Sequence, residues 1–230
     1  MAGFATIDGI AFIFFMAAWL GYHVAVEVGP HSRHNMNAVM NIRRARWIEE
    51  SVQRDNRIID TQVMNGLQNG TAFFASTSLL AIGGALSLLR STDQVAQIFE
   101  DLPFATPVTR AAWELKVIGL CVIFAYAFFK FAWSYRLFNY CAILLGAIPS
   151  AKRQDEPETR EAVRETIAMN IAAGRHFNRG QRAFFFALAY LGWFLSPWLF
   201  LTATAAVLTV MWRRQFASDS LTVFPTGRKP

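Results

Sequence analysis

The 230-residue chain has only two cysteines, Cys121 and Cys141, and neither belongs to a CxxC pair or a haem-attachment motif. If one helix carries both, their twenty-residue separation at ~1.5 Å per residue holds them about 30 Å apart, too far for a disulfide. Both are therefore read as small apolar packing residues. A basic leader is also missing: the residues ahead of the first apolar block hold no lysine or arginine, and Asp8 stands at its start. A cleavable signal peptide needs that cationic start, so the first block is expected to stay in the mature protein. The sequence holds no HExxH, GxSxG or P-loop pattern. Ser51, Ser76, Ser78 and Ser87 are not tied by any motif to a histidine and carboxylate, and the chain is not read as an enzyme. Of four histidines, His31 and His34 have a plausible ligand spacing but no cysteine or dense carboxylate cluster beside them. Neither a metal nor another cofactor is expected. Without tandem repeats, low-complexity tracts or a Gly/Ser linker, residues 1–230 read as one domain.

What the chain has in excess is apolar sequence, 54% against about 45 to 50% for an ordinary globular protein. The excess sits in four blocks, Ile7 to Val26, Gly70 to Leu89, Val117 to Trp133 and Ala183 to Val210. A hydrocarbon core of ~30 Å takes ~20 helical residues, and each block is near or above that length. The expectation is an all-α integral membrane four-helix bundle.

The net charge of +6 could suggest nucleic acid, but its distribution does not. Residues 31–64 carry Arg33, Arg43, Arg44, Arg46, Arg54 and Arg57. Residues 149–182 carry Lys152, Arg153, Arg160, Arg164, Arg175, Arg179 and Arg182. The connection between the second and third blocks has only Arg90, Arg110 and, at its very end, Lys116. By the positive-inside rule both basic segments are cytoplasmic and both termini lie on the outer, periplasmic side. The tail, residues 213–230, opposes this with Arg213, Arg214, Arg228 and Lys229. Both basic segments also carry helical signals. Ile48 with Val52 and Ile59 with Val63 are four-residue apolar pairs, Pro157 suits a first turn, and Gly174 before Arg175 and His176 suits a helix end. They are read either as solvated amphipathic helices or as a packed cytoplasmic layer extending the spans.

Several polar groups fall at the expected membrane edge. His23 and Glu27 share a helical face, and Lys130 and Arg136 reach a similar depth on the third block, which allows a Glu27 to Lys130 pair or a snorkelling lysine. At the other edge, Asp8 or Glu114 could meet Lys116. On the second block, Thr77, Ala81 and Ala85, next to Gly84, form a small-residue stripe suited to packing within the chain, to self-association or to lining a pore. Pro197 should kink the fourth block. Its entrance gathers Arg175, His176, Asn178, Arg179 and Arg182, readable as an orientation signal and hinge or as an anion, lipid or partner site.

The stretches "DTQVMNGLQNGTAFFASTSLLAIGG" and "FNRGQRAFFFALAYLGWFLSP", with "RRARWI" ahead of them, resemble a family of small four-span membrane proteins of bacteria and plants, the DUF599 domain of unknown function. The resemblance covers about Ala18 to Trp212 and marks Asn178, Arg179, Gly180, Arg182, Phe184 to Phe186 and Pro197 as characteristic. It implies residence in a bacterial inner membrane and brings no activity. Three readings stay open: an oligomeric channel or transporter-like module for a small ion or solute, a structural or accessory subunit of a larger membrane complex or a lipid-organising protein, and a lipid-acting enzyme. Expected partners are anionic lipid headgroups and a second copy or another membrane subunit, not nucleic acid.

Overall fold

The computed structural model describes residues 5–33, 35–90, 109–217 and 223. His34, the connection 91–108 and the tail cations Arg228 and Lys229 lie outside them. Six α-helices and no strands occur among the described residues: α1 (Thr6–Glu27), α2 (Met36–Ser51), α3 (Ile58–Arg90), α4 (Arg110–Ala147), α5 (Pro157–Leu195) and α6 (Pro197–Phe216). α1, α3 and α4 are long and apolar enough to cross a membrane. With 33, 38 and 39 residues, α3, α4 and α5 are about 50 to 58 Å long at 1.5 Å per residue. Each is therefore much longer than a ~30 Å hydrocarbon core requires.

The chain divides into two compact units, one of residues 1–39, 80–125 and 183–230, the other of residues 40–79 and 126–182. The three longest helices contribute to both.

In the first unit, α1 starts with the Asp8 carboxylate accepting from the Ala5 N–H at 3.0 Å, which satisfies an otherwise orphan donor of the first turn. Asn35 links its end to α2: its side-chain N–H₂ donates to the Val26 carbonyl at 3.0 Å and its Oδ1 accepts from the Ala38 N–H at 2.9 Å. The core is aromatic. Phe15 has Phe186, Tyr190 and Phe200 within 5.1 to 5.6 Å between ring centroids, and Trp193 stacks on Phe200 at 5.0 Å.

The fourth apolar block departs from expectation. The helix does not bend at Pro197; it stops at Leu195 and a new one starts. Ser196 is extended and its hydroxyl accepts from the Leu199 N–H at 3.1 Å, while Pro197 occupies the first turn of α6, where its missing N–H costs nothing. The chain then turns back. On α1, Asp8 meets Trp193 and Trp19 stacks on Phe186, so α1 and α5 are antiparallel. Further along α1, Phe15 meets Phe200 and the Tyr22 hydroxyl donates to the Met211 carbonyl at 3.2 Å, so α1 and α6 are parallel. A Cβ on Gly192 would stand 3.1 Å from the Leu199 carbonyl oxygen, so this reversal depends on a glycine at closest approach. α6 therefore ends beside the C-terminal end of α1.

The second unit packs α2 and the flanking parts of α3, α4 and α5 around Ile48, Val52, Met64, Leu137, Phe138, Cys141, Leu145, Ile148 and Ala173. The helices of both basic segments are thus packed into this unit.

Candidate functional site

The entrance of the fourth block sits inside α5. Gly174 and Gly180 neither end a helix nor form a turn, because α5 is continuous from Pro157 to Leu195. Their value is space. A Cβ on Gly174 would lie 2.7 Å from Arg44 Nη1, and one on Gly180 would lie 2.8 Å from the Phe131 ring. Arg175 between them is exposed, Arg182 is buried, and His176, Asn178 and Arg179 are half-buried. The His176 ring stands edge-on to Trp133 at 6.5 Å.

Below this entrance lies a polar cluster that sequence reasoning does not single out. Arg44 donates through Nη1 to Asn170 twice, to Oδ1 at 2.8 Å and to the carbonyl at 3.2 Å, with its guanidinium 5.9 Å from the Phe138 ring centroid. Asn170 is fully buried, and its Nδ2 donates to Cys141 Sγ at 3.5 Å. Ser134 donates to the Ala173 carbonyl at 2.8 Å. Burial pulls the Arg44 pKa below its ordinary value, because desolvation disfavours the charged form. At the far end of the same unit, the Arg57 guanidinium donates to the carbonyls of Leu145, Ile148 and Pro149 at 3.2, 2.6 and 2.8 Å. It thereby places a cation on orphan acceptors at the negative end of α4. Asp60, wholly buried, accepts from Trp47 Nε1 at 2.7 Å and from Arg54. These groups bind backbone and one another; their chemistry is that of helix caps and cross-braces.

Among the described residues of the first unit the buried charges are Asp8 and Lys116, 3.8 Å apart. Trp193 joins them: its Nε1 donates to Asp8 at 2.6 Å, and its carbonyl accepts from Lys116 Nζ at 2.8 Å. Lys116 thus caps α5 where α6 begins, and Asp8 caps α1. Of the two acids proposed for Lys116, Glu114 pairs instead with Arg110 at 3.0 Å.

The membrane-edge residues form local pairs. His23 Nδ1 is 3.6 Å from Glu27 in the first unit. In the second, Lys130 Nζ lies 5.1 Å over the Tyr126 ring, and Arg136 Nε donates to the Tyr140 hydroxyl at 2.6 Å. The small-residue stripe on α3 splits: Ala85 is buried, Thr77 and Ala81 are half-buried, and Gly84 faces open space. Among the described residues, no group of three or more His, Cys, Asp or Glu could hold a metal ion.

An all-helical chain with three such apolar helices fits a membrane protein. It belongs to DUF599, a family of unknown function that matches residues 10–220. No curated protein and no solved structure matches the chain.

Proposed function

We propose that the protein is a structural, lipid-organising component of a membrane, with its cationic surface turned to anionic headgroups in the cytoplasmic leaflet of a bacterial inner membrane. The observation that carries this reading is the filled interior of the first unit. Phe15, Phe186, Tyr190, Trp193 and Phe200 occupy the place where a conduit through this unit would run, and its two buried charges, Asp8 and Lys116, brace one another. The reversal at Ser196 adds to it. Arg213 and Arg214 at the end of α6 are exposed next to Trp212, which meets Tyr22 of α1, a cation and aromatic pairing suited to a membrane interface. With the basic segments inside, this orientation gathers the α6 cations with them and leaves the N-terminus outside. Arg43, Arg46, Lys152, Arg160, Arg164 and Arg175 are exposed on the second unit, and cations near an anionic leaflet contribute about 1 kcal/mol each.

The test is reconstitution into liposomes with and without anionic lipid. The expected result is no ion or small-solute flux above protein-free vesicles, with anionic lipid retained by the purified protein and lost on R213Q/R214Q. Flux carried by the protein alone would replace this reading with the channel or transporter one. Since the interior of the first unit is filled, such a path would run between copies.

A further inference from the structure

In the second unit a groove of about 310 Å³ runs between the end of α2 and the start of α5. That is the lower end of the roughly 300 to 1,000 Å³ of small-molecule sites. Its floor is apolar and fixed: Val52 belongs to the core of this unit, and Val163 and Ile167 pack against that core. Its rim carries both signs of charge. Glu49 stands on the last turn of α2 with Gln53 just beyond it, Asp155 stands just ahead of α5, and Arg160 and Arg164 lie one turn apart on α5.

These charges share one groove without pairing across it. The side chains of Glu49, Asp155 and Arg164 make no ion pair or hydrogen bond among the described residues. Neighbouring arginines behave differently: Arg46 pairs with Glu50 at 3.9 Å, and Arg153 with Glu156 and Glu158 at 2.6 and 3.0 Å. Arg160 is half committed. Its Nη2 donates to the Asp155 carbonyl at 2.7 Å, and the buried Thr159 hydroxyl donates to the Arg153 carbonyl at 2.7 Å, so the lip of the groove is pinned. Arg160 also stands on the first turn of α5, where the helix dipole favours an anion.

We propose that the groove binds a small dipolar ligand, a phosphate ester that carries a primary amine. Two guanidiniums one turn apart suit phosphate, whose oxygens accept from both, whereas one bidentate arginine already occupies both oxygens of a carboxylate. An ammonium donates three hydrogen bonds and accepts none, which matches the carboxylates of Glu49 and Asp155 and the amide oxygen of Gln53. The floor takes the methylenes that join the two ends. An anion without the amine would instead meet two carboxylates of its own sign. Free phosphoethanolamine and a phosphatidylethanolamine headgroup share this chemistry.

Calorimetric titration of the full-length protein in non-ionic detergent tests the site, with phosphoethanolamine as the probe and inorganic phosphate and ethanolamine titrated separately. The expected result is saturable binding of phosphoethanolamine, at least about tenfold weaker for either half alone and for R164Q and E49Q. R175Q, which changes an exposed cation of α5 outside the groove, should bind as the wild type does. Thermal unfolding checks the fold of each variant. Bilayers then identify the source. Binding that is lost when phosphatidylethanolamine replaces phosphatidylcholine assigns the site to a lipid headgroup, and binding that is equal in both assigns it to a soluble ligand. No saturable binding of phosphoethanolamine in detergent overturns the site, as does an equal loss in R175Q. Inorganic phosphate bound as tightly as phosphoethanolamine, with E49Q unchanged, overturns the dipolar ligand. The site goes beyond the lipid-organising reading and does not rest on it. A protein that conducts yet binds phosphoethanolamine rejects only the lipid reading, and one that retains anionic lipid without binding phosphoethanolamine rejects only the groove.

Discussion

The two units solve the same problem, holding long helices side by side, with different chemistry. In the first, rings pack on rings and one ion pair is sealed by Trp193. In the second, a mostly aliphatic core, with a Phe74, Phe131 and Phe177 ring cluster in the same unit, is framed by arginines that donate to carbonyls and a buried amide. If, as we propose, the first unit lies in the membrane and the second at its cytoplasmic edge, the contrast follows from the medium: lipid tails supply no hydrophobic drive, so close van der Waals packing has to hold helices together there, while next to water burial of aliphatic side chains supplies the drive and a guanidinium can cap a helix without losing all its hydration.

The largest expected effect comes from the sealed pair. Lys116→Met strands Asp8 in a buried site and should lower stability by about 3 to 5 kcal/mol. Adding Asp8→Asn should recover much of that loss in detergent unfolding; additive damage would show that the pair is not coupled. In the second unit, Asn170→Leu removes the side-chain acceptor of Arg44, leaving the Asn170 carbonyl, and should cost about 1.5 to 3 kcal/mol, the range for a hydrogen bond to a charged group. Gly180→Ala presses on Phe131, a fully buried ring. Overpacking of this kind costs about 1 to 3 kcal/mol. Gly21→Ala on α1 meets nothing within 4 Å and should raise stability by up to roughly 1 kcal/mol. If both glycine variants shift the melting temperature alike, close approach is not what selects Gly180. The smallest effect belongs to Glu156, whose carboxyl is held below its ordinary pKa by the hydrogen bond from Arg153 at 2.7 Å. Its folded pKa is depressed, so its contribution is present above the unfolded value and disappears as pH falls through the folded one. Glu156→Gln should therefore lose a small increment near neutrality and none in acid, read from unfolding at the two pH values.

Much of this architecture is legible in the sequence where the signal is local. Three apolar blocks appear as α1 and as windows of α3 and α4, and the shared depth of Asp8 and Lys116 anticipates their pairing. The fourth block shows how two local rules compete. Proline in an apolar run reads as a kink, but a serine before it is also the signature of a helix start, and the second rule wins at Ser196. Gly174 before two basic residues mimics a helix end. What it accommodates is Arg44, 130 positions earlier in the chain, and no local pattern reports that distance. Arg44 with Asn170, and Arg57 with the end of α4, are hidden for the same reason: nothing local in the sequence marks such distant partners.

The reversal at Ser196 brings Arg213 and Arg214 to the same end of the first unit as the C-terminal end of α1, and single-cysteine labelling with a membrane-impermeant thiol reagent tests it. The account predicts that V28C and R214C label from one side of the membrane and A5C from the other. Labelling of R214C together with A5C, opposite V28C, would contradict it.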